Sequence, residues 1–81
     1  MIKKVCAGQL LRLLNSSGHY RDWLILGFFP SSKRIGAPMM WHAMLVAKEE
    51  YVLEASDGDI IRLGESVWLQ CAELIAEADN V

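Results

Sequence analysis

Three residues carry the chemistry this chain could perform: Cys6, His42 and Glu54. A thiol nucleophile acts as its thiolate. An imidazole beside it takes the proton and later returns it to the leaving group, and a carboxylate behind the imidazole fixes its tautomer and orientation. Cys6 falls near the start of a predicted helix, where partial positive charge and unpaired N–H groups stabilise an anion. His42 stands in a strand that is otherwise apolar, between Trp41 and Ala43, and Glu54 falls in the next predicted strand. In an antiparallel pair, opposed residues share a face and keep a constant index sum. A turn centred on Lys48 sets His42 opposite Glu54; a turn centred one half-step later sets it opposite Ala55. No glycine lies in residues 47–50 to choose between the two, and the register stays open.

The elements that must position these groups read as follows. Residues 5–17 predict a helix with Leu10, Leu13 and Leu14 on one face and Gly18 as its stop. Residues 23–29 predict a strand apolar on both faces, ended by Pro30. Residues 31–38 form a loop punctuated by Gly36 and Pro38. Residues 39–47 and 51–55 predict two further strands. Asp57-Gly58 predicts a type I′ turn into a fourth strand at 60–63. Residues 65–79 predict a second helix with Val67, Cys71, Leu74, Ile75 and Ala78 as its apolar stripe. The expected class is α+β: helix, four-stranded antiparallel meander, helix, in two layers of a single domain.

Composition sets limits on these readings. The 81 residues are 53% hydrophobic and 22% charged, which excludes a disordered or collagen-like chain. So small a domain buries a small core, so part of the apolar surface is expected to meet a second copy, as a homodimer. The uninterrupted apolar run at 23–30 is far too short to cross a bilayer, so no membrane partner is expected. Two cysteines make no disulfide framework; free thiols in a cytoplasmic protein are the expectation. Cys6, His19, His42 and Cys71 contain no closely spaced ligand pair, so no metal and no other cofactor is expected.

Charge is unevenly placed. Residues 1–47 carry six basic side chains and one acid; residues 48–81 carry two basic side chains and nine acids, for a net charge of −2. The halves are expected to neutralise each other in the fold or across a dimer. A nucleic-acid partner is not expected, because there is no excess positive charge and no basic run with interleaved aromatics. Ser31-Ser32-Lys33-Arg34 has the composition of an anion site but follows no phosphate-loop pattern, and reads as a solvated loop. Met39, Met40, Met44 and Trp41 form a soft, polarizable cluster suited either to core and dimer packing or to an adaptable binding surface.

The stretch Cys6-Ala7-Gly8-Gln9-Leu10-Leu11-Arg12-Leu13-Leu14, then Gly18 and Trp23-Leu24-Ile25-Leu26-Gly27-Phe28, resembles the catalytic helix and following strand of transglutaminase-like cysteine peptidases. Trp41-His42-Ala43-Met44-Leu45-Val46 and Tyr51-Val52-Leu53-Glu54 resemble their histidine and acid strands. Within that family the likeness is to leader peptidases of lasso-peptide biosynthesis and related bacterial proteases, over residues 5–63. The resemblance implies Cys6 as nucleophile, His42 as base and Glu54 as orienting acid, with Asp57 as the alternative acid. It implies cleavage or acyl transfer of a peptide substrate through a thioester, without a cofactor. The other expectation from the residues is a small non-catalytic oligomeric binding or adaptor protein with an apolar self-association surface.

Overall fold

Leu11 and Leu13 turn inward while Leu10, Arg12 and Leu14 turn outward, a period of two that makes a strand where a helix was expected. The computed structural model describes residues 2–78. Its elements are β1 (Leu10–Leu14), β2 (Tyr20–Pro30), β3 (Met39–Lys48), β4 (Ile60–Leu63), α1 (Glu65–Cys71) and β5 (Glu73–Ala76). All pairings are antiparallel, in the order β4-β3-β2-β1-β5. The fold is therefore mostly β, a five-stranded sheet with one short helix, and the expected helix–meander–helix α+β arrangement is corrected.

Each correction has a local cause. Residues 5–9 are tied to β2 as irregular chain: Gly8 N–H donates to Ile25 O at 2.8 Å and Ile25 N–H to Gln9 O at 2.9 Å. A leucine-rich segment has good helix propensity, but tertiary pairing overrides that weak preference. Asn15-Ser16-Ser17-Gly18 is a hairpin turn rather than a helix stop. The Asn15 side-chain oxygen accepts from the Ser17 and His19 N–H groups, both at 2.9 Å. The second helix ends at Cys71, and the chain runs on as β5 along the open edge of β1, where it satisfies backbone groups that would otherwise stand unpaired. Of the expected stripe, Leu74 faces the core, whereas Val67, Cys71 and Ile75 are exposed; Asp79, the last residue of the expected helix, lies outside the described residues.

The expected strand at 51–55 is part of an irregular connection spanning 49–59, which buries Val52 and Ala55 against the sheet. Asp59 N–H donates to Ser56 O at 3.0 Å, closing a four-residue turn there. Asp57 keeps a negative φ and Gly58 takes φ 92°, so the turn is of type II, not the expected I′, which needs positive φ at both positions.

The core lies on one face of the sheet. Leu11, Trp23, Ile25, Ala43 and Leu45 supply the floor; Ile2 and Val5, Val52 and Ala55, and Trp68 of α1 close over it. The opposite face carries an apolar row across all five strands. The register aligns Ile60, Met44, Leu24, Leu10 and Ala76. Beyond that row, towards the far end of β2, His42 stands opposite both Gly27 and Arg62, and Phe29 opposite Met40. Among the described residues, no helix is long and apolar enough to cross a membrane.

Candidate functional site

The three residues that carried the thiol chemistry line three different clefts. Cys6 is half-buried in the irregular segment before β1, without the helix N-terminus expected to face it. Its N–H donates to Gln9 Oε1 at 2.9 Å, and its cleft of about 300 Å³ is shared with Lys3, Lys4, Gln9 and Glu77. His42 sits in β3, its ring edge-on to Phe29 with centroids 5.3 Å apart, and its Nε2 is buried with no hydrogen-bond partner among the described residues. Glu54 lies in the 49–59 connection and pairs with Arg21. Its carboxyl is held below the usual carboxylate range by its own backbone N–H and by Arg21. Its cleft is lined also by Arg21 and Trp23.

The reason the three do not meet is topological. β3 pairs with β4, not with residues 51–55, so the strand neighbour of His42 is Arg62 rather than Glu54 or Ala55. Among the described residues, no hydrogen bond joins any two of Cys6, His42 and Glu54. Asp57, the alternative acid, is exposed in the 56–59 turn. No group of three His, Cys, Asp or Glu side chains among the described residues could hold a metal ion.

A different constellation is assembled at the far end of β2 and β3. Pro30 ends β2, and the loop that follows is closed at its base by Ser31 N–H donating to Pro38 O at 2.8 Å. Inside it, Ala37 N–H donates to Arg34 O at 3.1 Å and Arg34 N–H to Ser32 Oγ at 3.2 Å. The loop is thus a shaped element, and it carries Ser31, Ser32, Lys33 and Arg34 to one wall of a cleft of about 530 Å³. His42 and Arg62, cross-strand neighbours on β3 and β4, line the same cleft. Its fixed charges are all positive: Lys33, Arg34 and Arg62. Among the described residues, the only ion pairs are Arg12–Asp22 and Arg21–Glu54, so no carboxylate neutralises these three.

The loop half of this cleft was visible as a basic, serine-rich segment between two prolines. The sheet half was not: Arg62 reaches it only because the 49–59 connection returns the chain to β3 in the register that places Arg62 beside His42. No spacing in the linear sequence signals that pairing. No protein-family model, no curated protein and no solved structure matches this chain.

Proposed function

We propose that this protein is a small β-sheet binding module for phosphate-bearing anions, with the cleft between the 31–34 loop and His42–Arg62 as its site. The observation that carries this reading is the lining of that cleft: three cationic residues, two serines and a histidine, with no acidic residue lining it among the described residues. Arginine offers a planar fork of donors that matches phosphate oxygens in pairs, lysine adds a compact charge, and serine hydroxyls complete a phosphate's shell. The net charge of −2 does not oppose this. At physiological ionic strength an exposed charge is screened over about 8 Å, so the residues that line the cleft govern a bound anion more than the chain's total does.

A thiol peptidase needs nucleophile, base and acid in one pocket, and the separate clefts of Cys6, His42 and Glu54 favour binding over that chemistry. Calorimetric titration with inorganic pyrophosphate at low salt tests the proposal. Wild-type protein is expected to bind at one site. Arg62→Ala is expected to weaken binding about ten- to hundredfold, the worth of a hydrogen bond to a charged group. Removing Lys33, Arg34 and Arg62 together is expected to abolish it. Wild-type protein that takes up no pyrophosphate, or a triple variant that binds it equally well, would overturn the reading.

A further inference from the structure

We infer that the phosphate-bearing ligand is a single-stranded nucleic acid, with its backbone in the basic cleft and a base stacked on Phe29; the inference rests on the anion reading above. Phe29 is the last outward-facing residue of β2 before Pro30 and is 48% exposed. The ring is also held in place. It lies edge-on to His42 and folds back over Gly27, where a side-chain carbon would come within 2.4 Å of it. The absence of a side chain at Gly27 is what lets the ring settle there. Phe29 is therefore both open to solvent and fixed, the condition for a stacking platform whose ordering cost is met before the ligand arrives.

The platform and the cations are adjacent. Phe29 touches His42, which lines the cleft, and the chain runs from Phe29 through Pro30 into Ser31-Ser32-Lys33-Arg34. Arg62 faces this loop from the edge strand β4. The positive charges thus stand on both walls of an open cleft instead of converging on one point, which suits a chain of phosphates passing between them better than the lone phosphate of a modified peptide. Half-buried Met40, opposite Phe29 in the register, extends the apolar surface beside the ring. Duplex bases are stacked on each other and cannot lie on Phe29; an unpaired base can. The charge count of the sequence argued against a nucleic-acid partner; the fold gathers at one end of the sheet the cations and the aromatic ring that the count treated as dispersed.

Fluorescence anisotropy with the full chain tests this against four probes: a short labelled single-stranded oligothymidylate, a duplex of the same length, heparin, and a serine-phosphorylated peptide. The single strand is expected to bind tightest. Its affinity should fall with salt at a log–log slope of about −2, as three phosphate contacts on a single strand require. Phe29→Leu should weaken binding roughly 5- to 100-fold, the size of one lost base–aromatic stack, without changing that slope. Phe29→Trp, which keeps a stacking surface, should retain it. Arg62→Ala should flatten the slope by about 0.7. If heparin and duplex bind as well as the single strand and Phe29→Leu changes nothing, the nucleic-acid inference fails while the anion reading stands. If the phosphopeptide binds tightest, the ligand belongs to another class and the inference fails likewise. If none of the probes binds and pyrophosphate does not either, the anion reading itself is lost.

Discussion

Trp68→Ala removes the cooperative unfolding transition of this protein. Trp68 is fully buried and is the largest side chain in that state. It is the one buried residue of α1, and its indole N–H donates to Trp41 O at 3.4 Å. The helix has seven residues and no side-chain cap at its N-terminus, so by itself it is far below the length at which helices persist in water. Its docking over the sheet depends on Trp68, and α1 leads directly into β5, which covers the open edge of β1. Truncating a buried tryptophan to alanine costs ~3–5 kcal/mol. A core of this size supplies a similar total, ~3–5 kcal/mol, so the loss is comparable to the whole stability of the domain. Urea denaturation followed by circular dichroism checks it: no sigmoidal transition is expected for the variant. A cooperative transition displaced by less than about 1.5 kcal/mol, the upper range for a volume-conserving swap, would show that α1 is not what closes the core.

The second large effect is expected at Asp22. Its carboxylate is buried in β2, with Oδ1 accepting from Arg12 Nε at 2.7 Å and Oδ2 from an Arg12 terminal nitrogen at 3.0 Å. The Arg12 guanidinium lies 3.9 Å from the Tyr20 ring centroid, and the hydrogen bonds it donates to the Asp22 carboxylate hold it above its ordinary pKa. The two residues face each other across β1 and β2. Asp22→Leu leaves that guanidinium without its partner. Breaking a buried pair costs about 3–5 kcal/mol, and the 30% exposure of the Arg12 side chain reduces this to about 2–3 kcal/mol. Converting both residues, Arg12→Met with Asp22→Leu, should recover most of the loss, because two apolar side chains replace two paired charges. Thermal denaturation of the single and double variants gives the comparison. A double variant less stable than Asp22→Leu alone would mean that the pair contributes more than its mutual compensation.

How much of this was legible in the sequence depended on whether a segment's pattern admits one structure or two. Trp23 to Phe29 and Met39 to Ala47 are apolar runs of strand length bounded by turn residues, and both are strands, extended by a few residues to Tyr20–Pro30 and Met39–Lys48. Ile60–Leu63 was also legible from the turn before it. Leu10–Leu14 was not: leucines at 10, 11, 13 and 14 satisfy a helical stripe and an alternating strand alike, and the partner strand decides between them. Residues 65–79 were legible only in their first half: Glu65–Cys71 is helical, whereas Leu74 and Ile75, which equally suit a helix face, are drawn to the free edge of β1.

The candidate thiol site hung on pairing 39–47 with 51–55. Residues 49–59 instead pack Val52 and Ala55 inward as irregular chain, and one changed pairing exchanged Glu54 for Arg62 beside His42. That exchange turns an acid–imidazole pair into part of a cationic wall. The loop at 31–34 was recognised by composition alone, and its meaning came only from what the sheet sets opposite it.

Amide chemical-shift mapping tests the central claim most directly. Inorganic pyrophosphate is titrated into isotope-labelled protein at low salt, and shifts are read residue by residue. The expected result is saturable movement concentrated at residues 31–34, His42 and Arg62, with Cys6, Gln9 and Glu54 unmoved. Shifts centred on the Cys6 cleft, or none that saturate at the 31–34 loop, would contradict the claim that this cleft is the binding site.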